Sequence, residues 1–195
     1  MSGATRPIET FVPGSDAGHA NGDLRALIRT IPDFPKPGIM FRDITTLLLD
    51  AEGLARTVAR MAASVDGPID LVAGIEARGF LFAAALAAPL NAGVLLIRKD
   101  GKLPGATIAE DYALEYGTDR IAMHEDACAP GATVLLVDDL IATGGTARAA
   151  VRLLRKAGAV VTDARFVVDL PELGGADALR EDGIRVGALV AFDGH

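Results

Sequence analysis

Apolar side chains along this chain switch between two periodicities. Short runs rich in β-branched residues at 69–74, 93–98, 132–138, 159–168 and 185–192 read as strands, most of them too continuously apolar to have a solvated face. Between them, segments 52–64, 79–88 and 145–157 carry the helical pattern, and 175–182 reads as a further short helix. Strands alternating with helices predict an α/β domain with a mostly parallel central sheet and helices on both faces. Ahead of this core, Asn21-Gly22-Asp23 can cap a short helix bearing Leu24, Leu27, Ile28 and Ile31. Three prolines and a glycine then interrupt residues 32–38. Residues 100–126 break the alternation: Gly101, Pro104, Gly105 and Gly117 punctuate weak strands, and an insertion of that size at a sheet edge predicts a mobile flap.

Composition sets bounds on this picture. A chain of 195 residues is read as one domain, 21–195, preceded by a poorly ordered tail at 1–20. A net charge of −7 argues against a general nucleic-acid or anionic-membrane binder. The single cysteine, Cys128, cannot form an internal disulfide, which fits a reducing compartment. His19, His124 and His195 are scattered and show no metal-ligand spacing. Residues 80–90 are very apolar but far shorter than the roughly 20 residues of a membrane span, so a buried helix and a cytoplasmic protein are expected.

The chemistry concentrates in Val134-Leu135-Leu136-Val137-Asp138-Asp139-Leu140-Ile141-Ala142-Thr143-Gly144-Gly145-Thr146. A buried strand ends in two carboxylates, at the edge where open α/β sheets bind ligands. The small residues from Ala142 to Thr146 can wrap backbone N–H groups and hydroxyls round a phosphate at the start of the next helix, where the dipole favours an anion. Asp138 and Asp139 would repel bare phosphate. They can accept hydrogen bonds from ribose hydroxyls, or hold a hydrated Mg²⁺ that the ligand shares. Phosphate on one side and a polyhydroxyl ring on the other describe a ribose 5-phosphate site.

This segment resembles the phosphoribosyl-diphosphate (PRPP) binding motif of the type I phosphoribosyltransferases. Four more blocks resemble, in the same order, those of the adenine phosphoribosyltransferase family: Phe34-Pro35-Lys36-Pro37-Gly38-Ile39-Met40-Phe41-Arg42-Asp43-Ile44-Thr45, Glu76-Ala77-Arg78-Gly79-Phe80-Leu81-Phe82, Arg98-Lys99-Asp100-Gly101-Lys102-Leu103-Pro104-Gly105 and Leu114-Glu115-Tyr116-Gly117. The resemblance spans about residues 21 to 195. It implies a type I phosphoribosyltransferase fold with a small N-terminal hood and a flexible flap, and transfer of phosphoribose from PRPP to adenine with Mg²⁺ held mainly by PRPP and water. It also implies a homodimer.

The resemblance assigns residues as well. Ala142, Thr143, Gly144, Gly145 and Thr146 would anchor the 5′-phosphate, with Asp138 and Asp139 on the ribose. Glu76, Ala77 and Arg78 match a pyrophosphate loop that often contains a non-proline cis peptide, here Glu76–Ala77. Arg98, Lys99 and Lys102 would neutralise the leaving pyrophosphate, although such a cluster also reads as a solvated basic turn. Met40, Phe41, Arg42 and Leu140 would bind adenine, while the blander reading makes Phe41 core and pairs Arg42 with Asp43 or another acid. Glu115 would be the acid/base for adenine, with Glu110 and Asp111 as competitors, and Tyr116 would close over the centre. A transferase for xanthine, guanine or orotate would share the PRPP machinery. A PRPP-sensing regulator would need a DNA-binding module, which the short N-terminal tail cannot supply.

Overall fold

A computed structural model of the chain describes residues 21–114 and 117–194. The tail expected at 1–20 lies outside the described residues, as do Glu115, Tyr116 and His195. The described chain runs α1 (Gly22–Arg25), β1 (Arg29–Pro32), β2 (Met40–Asp43), α2 (Thr45–Leu49), α3 (Ala51–Ala63), β3 (Leu71–Ile75), α4 (Gly79–Leu90), β4 (Gly93–Lys99), β5 (Thr107–Leu114), β6 (Gly117–His124), β7 (Thr133–Ile141), α5 (Gly145–Lys156), β8 (Val160–Asp169), α6 (Gly175–Glu181) and β9 (Arg185–Ala191).

The central sheet has the order β5-β6-β4-β3-β7-β8-β9. Pairings β3–β4, β3–β7, β7–β8 and β8–β9 are parallel, while β4–β6 and β5–β6 are antiparallel. From β3 the chain first builds outward through β4, then returns to the other side of β3 with β7. The order therefore reverses between β3 and β7, and the crevice beyond their carboxyl ends is the preferred ligand position in such sheets. One core lies on each face. Phe166, Leu136, Leu153 and Leu179 join the side covered by α5 and α6, whereas Phe82, Leu86, Met61 and Leu24 fill the side covered by α1 to α4.

Three expectations need correction. Ile31 does not continue the first helix: α1 is a single turn, and residue 31 pairs with Phe41 in a small antiparallel β1–β2 hairpin separate from the main sheet. Periodicity cannot separate one helical turn from the strand that follows it. The strands of 100–126 are not weak either. β5 and β6 are eight residues each, paired along their length, and β6 joins the sheet at Arg98–Ala122 and Lys99–Ile121. Their inner face carries Ile108, Tyr112, Ile121 and Met123, but Glu110 sits among them and dilutes the apolar signal; Arg152 of α5 takes its charge at 2.7 Å. Finally, α4 is not buried all round. Phe82, Ala83 and Leu86 are, but Leu81 is 51% exposed, and Val94 and Leu96 of β4 are each 43% exposed. No helix among the described residues is long and apolar enough to cross a membrane.

A buried ion pair ties α3 to the sheet. Arg165 of β8 meets Asp163 at 3.1 Å and donates to the Ser64 carbonyl and hydroxyl at the end of α3. Removing one member of such a pair leaves the other buried with less compensation. Arg165→Met is therefore expected to cost about 3 kcal/mol of unfolding free energy, read from urea denaturation. A loss below about 1 kcal/mol would mean that Arg185, the other partner of Asp163 at 2.7 Å, suffices alone.

Candidate active site

The loop after β7 is shaped by glycine at two positions. Gly144 takes φ +79°, a left-handed conformation that a side chain disfavours, and it turns the chain into α5. The second position, Gly175, comes from far along the sequence. Its N–H donates to the Ala142 carbonyl at 2.9 Å, and a Cβ there would stand 2.5 Å from Gly144 N and closer still to the Ala142 oxygen. The floor of the loop is thus the bare backbone at the start of α6. Nothing in the loop sequence points to this partner; the Gly174-Gly175 pair opening a helix was the available signal.

Above this floor is a cavity of about 270 Å³, lined by Asp138, Leu140 and the whole loop from Ala142 to Thr146 on one side. Glu76, Lys99 and Tyr112 face them. The Asp138 carboxyl is held well above the usual carboxylate range, first by burial and then by the charge of Asp139 beside it. Asp139 is 4% exposed and forms an ion pair with Arg78. Adjacent strand residues point to opposite faces, and these two carboxylates accordingly meet different surroundings.

The second loop reaches this point because α4 starts on a glycine. A Cβ on Gly79 would lie 2.9 Å from the Val137 carbonyl and 3.0 Å from Asp138 Oδ1. The peptide Glu76–Ala77 is cis. Glu76 accepts from the Lys99 backbone N–H at 2.9 Å and from Arg98 at 3.2 Å, and these bonds, the backbone one foremost, hold its carboxyl below the usual range. Arg98 also donates to the Lys102 carbonyl at 3.0 Å, while the Lys102 side chain is exposed.

The Lys99 ammonium binds Asp119 at 2.7 Å, and the same carboxylate oxygen accepts from the Tyr112 hydroxyl at 2.8 Å. With a third bond from Arg120 N–H, Asp119 is held down at about 2, the ammonium of Lys99 being the main cause. Tyr112 and Asp119 are site residues that the sequence reading missed. They are cross-strand partners in β5 and β6, a pairing across a hairpin whose alternation Glu110 interrupts.

A second cavity, of about 300 Å³, has Arg78 in its wall. Ile31, Phe34, Phe41 and Ile44 supply its apolar walls, with Arg42, Asp43, Thr45 and Arg78 completing them. Phe34 and Phe41 meet edge to face, 5.2 Å between centroids and 77° between planes. The Arg78 guanidinium lies 6.0 Å from the centre of the Phe41 ring. Met40 is 36% exposed and outside this lining, and Leu140 lines the first cavity instead. Arg42 does not pair with Asp43, which takes Arg29 and Thr45 and is held at about 2, chiefly by the Arg29 guanidinium. Arg42 bonds Thr30 Oγ1 at 2.6 Å and the Asp193 carbonyl at 2.9 Å. Cys128 lies apart, before β7 at the opposite edge of the sheet, with its thiol pushed up by burial.

Comparison with known proteins places this geometry. The phosphoribosyl transferase domain model matches residues 45–173, which include both loops. A relative from Erythrobacter litoralis, named adenine phosphoribosyltransferase, is 60% identical over 175 residues, 89% of this chain and 98% of its own. One of the same name from Bradyrhizobium sp. is 58% identical over 174 residues, 89% of this chain and 97% of its own. The chain belongs to the adenine phosphoribosyltransferase family. Among solved family structures, the enzyme of Thermoanaerobacter pseudethanolicus superimposes with a TM-score of 0.84 at 44% identity, covering 88% of this chain and 99% of that one. That of Giardia lamblia, complexed with 9-deazaadenine, gives 0.83 at 34% identity, covering 88% and 97%.

The Gly175 contact yields a test that owes nothing to the loop residues themselves. Gly175→Ala should push the Ala142–Gly144 backbone off its floor and misalign its N–H donors. A hydrogen bond to a charged group contributes about 1.5–3 kcal/mol, so affinity for PRPP should fall by at least about tenfold in calorimetric titration. Unchanged affinity would show that the loop is set by its own sequence.

Proposed function

We propose that this chain is an adenine phosphoribosyltransferase that joins adenine to PRPP, releasing AMP and pyrophosphate in adenine salvage. The observation that carries the reading is the pair of cavities at one sheet edge. A small-residue loop lines one together with Asp138 and Glu76, an aromatic pair lines the other, and Arg78 in the wall of the second pairs with Asp139, the neighbour of Asp138.

The residues present can carry out each part of the reaction. Thr143 to Thr146 offer hydroxyls and N–H groups to the 5′-phosphate, and Asp138 and Asp139 accept from the ribose hydroxyls. Adenine stacks on Phe41, with Leu140 closing from the phosphate side and backbone groups around Met40 and Arg42 reading its edge. As the bond from C1′ to pyrophosphate oxygen breaks, N9 bonds to C1′ with inversion, and the purine gives up a proton. Positive charge builds on the ribose ring in this displacement, so water has to be excluded; that is the work assigned to the flap carrying Tyr116. The negative charge collects on pyrophosphate, where Arg78, Arg98, Lys99 and Lys102, with the N–H groups of the Glu76-Ala77 loop, neutralise it.

The donor set suits Mg²⁺. Asp138 and Glu76 offer carboxylate oxygens in one cavity, hard ligands able to accept from metal-bound water. When bound with PRPP, the ion would neutralise charge on the diphosphate.

Glu115 takes the proton in this reading. Its rivals are already engaged: Asp111 pairs with Arg120 at 2.6 Å and Glu110 with Arg152 at 2.7 Å. A homodimer would account for the exposure of the apolar side chains Leu81, Val94 and Leu96, and a cytoplasmic location fits an enzyme consuming PRPP.

Turnover with adenine, hypoxanthine, guanine and orotate tests the assignment. A pocket that reads the adenine amine rejects a base with a carbonyl there, so kcat/KM should favour adenine by about 10⁴. Comparable rates with hypoxanthine or guanine would move the chain to another base.

The acid/base role is tested separately. Glu115→Gln should lower kcat by about 10²–10⁴ with PRPP affinity little changed, while Asp111→Asn should be much milder. The reverse pattern would transfer the role to Asp111.

A further inference from the structure

Beyond the two cavities at the site, the chain has a side-chain cluster where its C-terminal segment meets the hood. Phe192 follows β9 and is 6% exposed. Two guanidinium groups lie on its ring: Arg25 of α1 at 4.3 Å from the centroid and Arg42 of β2 at 4.6 Å. These cations repel one another. Burial pushes the Arg42 pKa down, and the charge of Arg25 lowers it further. The Arg42 Nε is also buried without a hydrogen-bond partner. Three attractions offset these costs: the face of the Phe192 ring, the carbonyls of Asp193 and Gly194 at 2.9 and 3.4 Å, and Thr30 Oγ1. Arg25 donates in turn to the Ala191 carbonyl.

Arg42 directly follows Phe41, and both line the aromatic cavity. The β1–β2 hairpin that carries them forms no ladder with the main sheet, so side-chain contacts position it: core packing of Ile28 and Ile44 at its ends, and ties of this kind. We propose that Phe192 is a positioning residue for base recognition, with the segment Phe192-Asp193-Gly194 holding β2, and through it Phe41, by way of Arg42. The proposal rests on the reading of the Phe34–Phe41 cavity as the base site. Phe192 acts on adenine rather than PRPP, because no residue of the hairpin lines the first cavity.

Steady-state kinetics on the full chain test it. Phe192→Leu keeps an apolar side chain in the core but removes the ring face. A desolvated cation–π contact has the strength to shift a binding constant about five- to thirtyfold, so KM for adenine should rise by about that factor. KM for PRPP should move less than about twofold, and Phe192→Tyr should restore the adenine value. If Phe192→Leu fails to fold, Arg42→Met carries the test from the other side of the contact. It leaves Phe192 in place and should show the same split between the two substrates. Where both fold, the double variant should be no worse for adenine than the more severe single one. Phe41→Ala serves as the control for the site itself. If it raises KM for adenine while Phe192→Leu and Arg42→Met do not, the positioning role is wrong and the base site stands. If Phe41→Ala leaves KM for adenine unchanged, both fall. A parallel rise in both KM values in the Phe192 and Arg42 variants would reduce the cluster to general support of the fold.

Discussion

Two carboxylates side by side at the end of a buried strand are an electrostatic problem, and much of this site is arranged around it. Burial disfavours charge on Asp138, and Asp139 next to it adds repulsion. The arrangement persists because the pair is split. Asp138 faces the phosphate-loop cavity, and Asp139 meets the Arg78 guanidinium. Arg78 can reach only because α4 begins against β7, and that approach depends on the missing side chain of Gly79. The same economy recurs one step back: a Cβ on Gly74 would lie 2.7 Å from the Gly79 carbonyl and 2.9 Å from the Ala83 Cβ. A short series of close backbone contacts from β3 through α4 to β7 thus brings a cation to an acid.

Two other cations at the site, Arg98 and Lys99, are paired as well. Arg98 rests on Glu76, and Lys99 on Asp119, which also holds Tyr112. An anion that takes either cation does so in competition with these carboxylates, and on leaving hands the cation back. Electrostatic attraction for a highly charged diphosphate is therefore tempered by exchange of partners. In a chain of net charge −7, this keeps the cationic cluster compensated when no ligand is present.

How much of this was legible in the sequence follows from the range of each interaction. The continuous apolar runs of β3, β7, β8 and β9 and the loop Ala142–Thr146 are local patterns, and they read directly. Their boundaries shift slightly: β7 extends through Asp138 and Asp139 to Ile141, because parallel pairing with β8 continues past the acids. The β1–β2 hairpin was not legible, since four-residue strands interrupted by prolines carry too little alternation to register. In β5, Glu110 on the inward face masked the pattern, its charge being met by an arginine 42 residues away. Gly175 beneath the phosphate loop and Phe192 beneath Arg42 escaped for the same reason. Each is a contact between distant segments in which the partner leaves no local trace.

The two cavities differ in how they are attached to the fold. The phosphate cavity is built on the carboxyl ends of strands at the centre of the sheet, where backbone pairing on both sides fixes its walls. The aromatic cavity is carried by a hairpin outside that sheet. Arg42 ties it to the Asp193 carbonyl just past β9, and in the preceding α1 segment Asn21 and Arg25 bond the Leu189 and Ala191 carbonyls. Changes in the hairpin can alter what the aromatic cavity accepts without disturbing the strands that shape the phosphate loop. Arg78 is where the two modules meet, since its guanidinium lies near the Phe41 ring and pairs with Asp139. A ligand group in the aromatic cavity that draws on this side chain weakens its hold on Asp139, whose charge acts on Asp138 in the wall of the first cavity.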